Sequence, residues 1–501
     1  MSKYEQFFEK IAESLDLNET EENTITTSYT AVGEYLAESM FLKEYSPKIF
    51  PQGSVRLGTV VKPLSKDDYD IDLVCELENG EGLLPQQVKS LVGLALKDGK
   101  YSKQLEEHGR CWTLNYSANP PYHLDILPGI GIVNDRVKAT VKSANGQYSW
   151  LYTNPRGFAK WFLSIPSHRL LYEDSRSVEK VSKFNVKTPL QRAVQLIKRH
   201  RDVCFRNHPE DGPASIVITT LCGLSFNGER TIEDILRNGP IKWLTYIKIK
   251  NGKYSIKVPQ LPDDDYADKW NGEDEYAAER FFKWHRKLLL DLDALFRQRT
   301  IDDFLNISNF LFTESTVAKI SQTNVRMMDS LRESFEREGN LPALLDDFHP
   351  LFVHARSVFK LYPFVPKKGL SIVIRAQVFN SYEEARKSEN EISHLSFNES
   401  SLLLPKGKWI RFTASIKNPG HVNSYVLFQI TNTGEEAQND KEGELRGELY
   451  PPEDGYQRTR FEHTAYTGTH FVQAFVIEKI LNNSYCVAKS NILTVNVGDA
   501  L

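Results

Sequence analysis

The chain is poor in cysteine, in long apolar runs and in excess positive charge, and each shortage narrows what it can be. Five cysteines in 501 residues (Cys75, Cys111, Cys204, Cys222 and Cys486) form an odd, scattered set with no Cys-x-x-Cys pair. That argues against a disulfide framework and against a thiolate zinc site. No run of about eighteen apolar residues occurs, and the N-terminal MSKYEQFFEKIAESL has no apolar signal core. SIVITTLCGL is too short to span a bilayer. A soluble chain in the reducing cytoplasm, with no membrane partner, is the expectation. The net charge is -4, where domains that grip long nucleic acid are usually basic, so stable binding to long nucleic acid is not expected. No repeat or low-complexity tract is evident.

What is present is ordinary globular material, 40% hydrophobic and 26% charged, enough for roughly two to four domains. Tyr4, Phe7, Phe8, Ile11 and Leu15 fall at helical spacing, as do Ile25, Tyr29, Val32 and Leu36. From about 48 to 130 short alternating runs (DYDIDLVCEL, RCWTLNYS, YHLDILPGIGIV) read as strands. From about 155 to 360 the pattern is again helical. PFVPKKG, at 363–369, reads as a linker. Beyond it LSIVIRAQVF, WIRFTASIK, SYVLFQITN, HFVQAFVIE and ILTVNV predict a separate all-β sandwich of roughly 130 residues.

The stretch QGSVRLGTVVKPLSKDDYDIDL crowds carboxylates just after a polar turn. In a strand alternate side chains share a face, so Asp68, Asp70 and Asp72 point one way while Tyr69, Ile71 and Leu73 point into a core. Their repulsion is relieved by a divalent cation, and Mg²⁺ prefers carboxylate and phosphate oxygens. Two such ions clamp the attacking and leaving oxygens of a phosphoryl transfer, which calls for a third carboxylate. Asp125 in YHLDILP offers one, and His123 shares its face as a neighbour rather than a ligand. Gly53 lets the backbone approach phosphates closely, and Ser54 supplies a hydroxyl for a terminal phosphate oxygen. A lone Asp-x-Asp is more often solvated charge; the conjunction of turn and two acidic strands carries the reading.

QGSVRLGT, DYDIDL and HLDI, followed by SWLYTNPRGFAKWF, TPLQRAVQLIKRHRD and SIVITTLCGL, resemble the bacterial CD-NTases, the anti-phage nucleotidyltransferases related to cyclic GMP-AMP synthase. The resemblance covers most of 45–225. It implies an α+β, polymerase-β-like nucleotidyltransferase core of mixed sheet and helices, with N-terminal helices (1–170), and a helical lobe (171–362). The linker (363–369) and the sandwich (370–501) follow. It makes Gly53 and Ser54 the phosphate-binding turn, and Asp70, Asp72 and Asp125 the metal ligands, with Asp125 also activating the attacking hydroxyl. Mg²⁺, or Mn²⁺ in its place, is the implied cofactor. On the basic stretch QRAVQLIKRHRD, Lys198 lies beside the apolar stripe with its stem coverable; the resemblance gives it the triphosphate, together with Ser215. Arg199 and Arg201 read as a solvated basic face, and Arg56 as either a phosphate contact or surface charge. Tyr148 and Trp150 read as core.

LFQITNTGEEA, GELRGELY, FEHTAYTGTHFVQAFVI and CVAKSN resemble the AGS-C sensor module over most of 370–497. Arg446, Arg460, Glu462, His463 and His470 are polar residues there that any ligand would need, although turn and cross-strand roles explain each singly. The resemblance implies a synthase that joins nucleoside triphosphates such as ATP or GTP into a cyclic oligonucleotide and activates an effector protein, with an unknown ligand for the C-terminal module. A linear oligonucleotide product, nucleotide transfer to a protein or RNA, and a silent sensor are the alternatives.

Overall fold

The computed structural model describes residues 4–64, 69–117, 121–143, 145–165, 177–179, 186–272, 274, 276–339, 358–387, 395–417, 424–440, 446–480 and 483–498. Asp68 lies outside the described residues. Helices α1 (Glu5–Ser14) and α2 (Glu19–Glu38) open the chain, and α3 (Gly53–Leu57) and α4 (Pro85–Lys97) alternate with the first strands. Then come α5 (Pro155–Ser164), α6 (Pro189–Cys204), α7 (Ser215–Ser225), α8 (Ile232–Lys242), α9 (Ala277–Phe296), α10 (Ile301–Phe312), α11 (Glu314–Thr323) and α12 (Val325–Gly339). No helix among the described residues is long and apolar enough to cross a membrane.

The first strands are β1 (Pro47–Pro51), β2 (Tyr69–Leu77), β3 (Leu105–Glu107), β4 (Trp112–Tyr116), β5 (Tyr122–Ile132), β6 (Arg136–Lys142) and β7 (Tyr148–Thr153). They form one mixed sheet in the order β1-β2-β5-β4-β3, with β6 pairing the far end of β5 and then β7. Among the described residues, the β2–β5 pair alone in this sheet is parallel. Alternation along β2 and β5 sends Ile71, Leu73, Leu124 and Ile126 into a core shared with Ile25, Tyr29 and Val32 of α2 and Val88 and Val92 of α4. The opposite face of the same strands carries the acids.

A second core gathers the helices. Phe7, Phe8 and Ile11 of α1 pack there with residues of α6 to α10 rather than against the sheet. Helix α6 is nucleated by a reciprocal cap at Thr188. Its hydroxyl accepts from the Gln191 N–H at 3.3 Å while Gln191 Oε1 accepts from the Thr188 N–H at 2.8 Å, and Pro189 occupies the first turn. A small hairpin, β8 (Lys248–Lys250) and β9 (Lys253–Ser255), sits between α8 and α9.

The described residues of the C-terminal part form nine strands. They are β10 (Ser371–Phe379), β11 (Leu395–Phe397), β12 (Ser400–Pro405), β13 (Trp409–Lys417), β14 (Ser424–Thr431), β15 (Arg446–Tyr450), β16 (Thr459–His463), β17 (Gly468–Ile480) and β18 (Asn483–Gly498). They make two sheets, β11-β10-β13-β16 and β12-β18-β17-β14-β15. Inward residues such as Ile374, Phe412, Phe428, Val472 and Val495 fill the space between them. The stretch read as a linker is not free chain. The Val365 N–H donates to Cys486 O at 2.9 Å and the Lys367 N–H to Val487 O at 3.1 Å, so it runs along β18. The sandwich also touches the helices. Phe471 packs on Leu289 of α9, and Arg286 Nη2 donates to Ile492 O at 2.7 Å.

A shared ion network anchors the start of α3. Arg156 on α5 pairs with Glu76 on β2 (2.5 Å) and with Glu179 (2.8 Å), and Arg56 on α3 pairs with the other oxygen of Glu179 (3.0 Å). Arg56 thus faces inward and braces the turn; it is neither a phosphate contact nor solvated charge. Removing Glu179 leaves the largely buried Arg56 without a carboxylate and Arg156 with Glu76 alone. Glu179→Ala should therefore lower the unfolding free energy by about 3 kcal/mol, measured as an earlier transition in urea.

Candidate active site

The site grows from the hand-over between β1 and α3. The Gln52 N–H donates to Asp72 O at 2.9 Å, which holds the end of β1 against β2. Gly53 then takes φ +62, and a Cβ built there would collide with the Asp72 carboxylate. Only glycine suits both the conformation and the space. Ser54 follows on the first turn, and the Thr59 N–H donates to Ser54 O at 3.0 Å, closing the helix back on itself.

Parallel register sets Asp72 beside Asp125 and Asp70 beside His123. Registered neighbours share a face, so three carboxylates line one side of the sheet. Asp70, exposed, pairs with His123 Nε2. Asp125 accepts from Thr113 Oγ1 at 2.5 Å. Asp72, half-buried, has its carboxyl pushed up to about 7, first by burial and then by Asp70 and Asp125, with His123 and Lys198 opposing.

Facing the acids is α6. Lys198 is buried, and its ammonium donates to Thr59 O and Thr59 Oγ1, both at 3.1 Å. Burial, and then the neighbouring Arg201, bring its pKa down to about 7, against the pull of Asp202, Cys222 and Asp72. Arg201 Nη1 donates to Ser215 Oγ at 2.9 Å and to Pro213 O at 3.0 Å, fixing the start of α7. One cavity of about 870 Å³ is lined by Gly53, Ser54, Asp70, Asp72, Lys198 and Ser215 together. Asp125 does not line it and stands behind Asp72, tied to Thr113.

The donor set is all oxygen, and it carries mutual repulsion that a cation would relieve, so the residues fit a hard divalent ion. The acids are not drawn tightly together. Among the described residues, the three-donor group whose atoms all lie within 4.8 Å of one another is His208, Glu210 and Asp211, which is largely exposed.

Two family models match the chain. The Second Messenger Oligonucleotide or Dinucleotide Synthetase domain covers residues 1–164, and the Adenylyl/Guanylyl and SMODS C-terminal sensor domain covers 361–498. A c-di-GMP synthase of Roseivirga ehrenbergii is 31% identical over 278 residues, which are 54% of this chain and 73% of that protein. The chain belongs to the CD-NTase family. It is a nucleotidyltransferase with an AGS-C module behind it. The cyclic dinucleotide synthase CdnG of Bradyrhizobium diazoefficiens is a more distant CD-NTase relative, 26% identical over 44% of this chain and 59% of that one. The GTP-bound CdnG structure from that organism is 18% identical, with a TM-score of 0.48 over 63% of this chain and 97% of that one. That likeness is too remote to bear on the chemistry.

The basic face of this CD-NTase's α6 is not solvated. Arg199 is buried and donates to Lys62 O, Arg192 pairs with Glu9 (3.1 Å) and Asp16 (2.6 Å), and His200 pairs with Asp291 (2.9 Å). Arg201 lines the cavity. The sequence carried a signal for it, since it lies three residues from Lys198 and so on the same helical face. Thr59, Arg206 and Asn207 also line the cavity, with no pattern in the sequence to single them out.

Gly53→Ala should cost only about 1–2 kcal/mol of stability. Displacement of the Asp72 carboxylate should cut nucleotide turnover by roughly 100-fold, read as pyrophosphate release. The raised Asp72 pKa also sets a pH dependence. Between about pH 4 and pH 7 the folded form keeps a proton that the unfolded chain has lost, so stability falls as pH rises through this window. Asp72→Asn should remove that fall. Melting temperatures taken without divalent ions should show a variant advantage that grows from pH 4 to pH 7.

Proposed function

We propose that this cavity binds nucleoside triphosphates with divalent magnesium, or manganese in its place, and joins them into a cyclic oligonucleotide second messenger for anti-phage defence. The observation that carries this reading is the convergence of an acidic wall (Asp70, Asp72), a glycine–serine turn (Gly53, Ser54) and a facing wall that offers an ammonium and a hydroxyl (Lys198, Ser215) on one cavity. In the working order, Gly53 and Ser54 present backbone N–H and hydroxyl to phosphate oxygens. Lys198 and Ser215 hold the polyphosphate end. Asp70, Asp72 and Asp125 would hold the metal, which supplies charge neutralisation at the reacting phosphate.

A ribose hydroxyl oxygen attacks the α-phosphorus, and the bond from that phosphorus to the bridging oxygen breaks. Pyrophosphate leaves with the electron pair, and the hydroxyl proton passes to the acidic wall, by way of Asp72 to Asp125 registered beside it. A second transfer in the same cavity closes the ring. Lys198, lowered to about 7 without ligand, is held protonated once polyphosphate lies against it. Because the Roseivirga relative is a c-di-GMP synthase, GTP is the first substrate to test. The work takes place in the cytoplasm, and the product acts on an effector protein. We assign residues 1–362 to synthesis and 370–501 to its control.

The test is incubation of the full chain with labelled nucleoside triphosphates and Mg²⁺, followed by phosphatase digestion and mass spectrometry. A phosphatase-resistant cyclic product is expected, and Asp70→Asn with Asp72→Asn should lose more than about 1,000-fold of turnover while remaining folded. A phosphatase-sensitive ladder would mean linear synthesis. No product under any nucleotide and metal mixture would overturn the enzymatic reading of this site.

A further inference from the structure

The sandwich holds a second cavity, of about 460 Å³, far larger than a core defect, opening between its two sheets. One wall is aromatic. Trp409 lies 4.7 Å from Tyr382 and 5.2 Å from His463, centroid to centroid. Another wall is an ion trio: Glu462 receives Arg446 Nη1 on one oxygen (2.6 Å) and Arg460 Nε on the other (2.8 Å). Both guanidiniums also lie over the Tyr450 ring, at 5.7 and 4.9 Å.

Two cations on one carboxylate inside a β-sandwich are a poor way to stabilise a fold, since apolar side chains of the same bulk do as well or better. What the trio achieves is orientation. Glu462 and Tyr450 fix the plane of each guanidinium, and the trio keeps one net positive charge beside the cavity. Arg446 further adopts φ +56, a left-handed backbone unusual for a long side chain. Glu453, which also lines the cavity and lies near the Tyr382 hydroxyl at 3.5 Å, supplies an acceptor. A flat ring against Trp409, ring N–H groups toward Glu453 and an anionic group on the arginines complete one description.

We propose that this cavity is a binding site for a nucleotide: a planar heteroaromatic base carrying a phosphate. The site is separate from the synthesis cavity and stands on the sandwich alone, so its fate is independent of the proposed reaction. Its floor also reaches the helices. His470 and Val472 of β17 line the cavity, and the residue between them, Phe471, points the other way onto Leu289 of α9. Two residues on, Asp291 holds His200 of α6 at 2.9 Å, and α6 carries Lys198.

The test titrates the full chain with AMP, GMP, CMP and UMP by calorimetry, in parallel with Arg460→Met, Trp409→Leu and Lys198→Ala. At least one monophosphate should bind one-to-one with Kd below about 1 mM. Arg460→Met and Trp409→Leu should each weaken it about tenfold or more, while Lys198→Ala leaves it unchanged. An unchanged urea unfolding transition shows that a sandwich variant is folded; if Arg460→Met does not fold, Trp409→Leu decides. Binding lost in Lys198→Ala but kept in the two sandwich variants would overturn the proposal, as would no binding by any of the four.

Discussion

Like charges set side by side on neighbouring parallel strands dominate this molecule. The β2–β5 pairing places Asp72 against Asp125 with Asp70 one step away, an arrangement that opposes folding unless a cation or proton intervenes. The surroundings are built to tolerate it. Hydrophobic packing on the other face fixes the register, because a one-residue slip would bury the acids and expose Ile71, Leu73 and Leu124. Bonds from His123 and Thr113 hold the flanking carboxylates, and the buried Lys198 lies opposite. A site that is strained when empty gains most when a cation and polyphosphate arrive together.

The same logic explains why α6 is buried almost all round despite its charge. Its guanidiniums and imidazole find partners on and just after α1, on α9 and in the loop after α3, with the α6 member of each ion pair buried and its partner carboxylate partly exposed. Such pairs add little net stability but fix position. The lysine is thereby delivered to one place, with Thr59 joining it to the turn that carries Ser54.

Local pattern made much of this legible. Period-two alternation disclosed β2 and β5 and the face their acids share, and period-three-to-four spacing disclosed α1, α2 and α6. Gly53 was readable because the turn it makes is local, although the Asp72 carboxylate that crowds it comes from another strand. What escaped notice depended on residues remote in sequence. Arg199 and Arg201 looked solvated because Lys62 O and Ser215, their acceptors, lie 137 and 14 residues away. Arg56 was ambiguous until Glu179 appeared beside it. The proline–glycine stretch after 362 looked like free chain because nothing in it announces its pairing with β18.

Leu403 of β12 belongs to the apolar core of the helical part, and Phe471 covers Leu289. Excising the sandwich would therefore leave a socket of bare hydrocarbon on the remaining half, a surface prone to self-association. The two halves are interlocked like neighbouring bricks, so drift in the sequence of either is constrained by the shape of the other, and a transplanted C-terminal unit would have to bring its own plug.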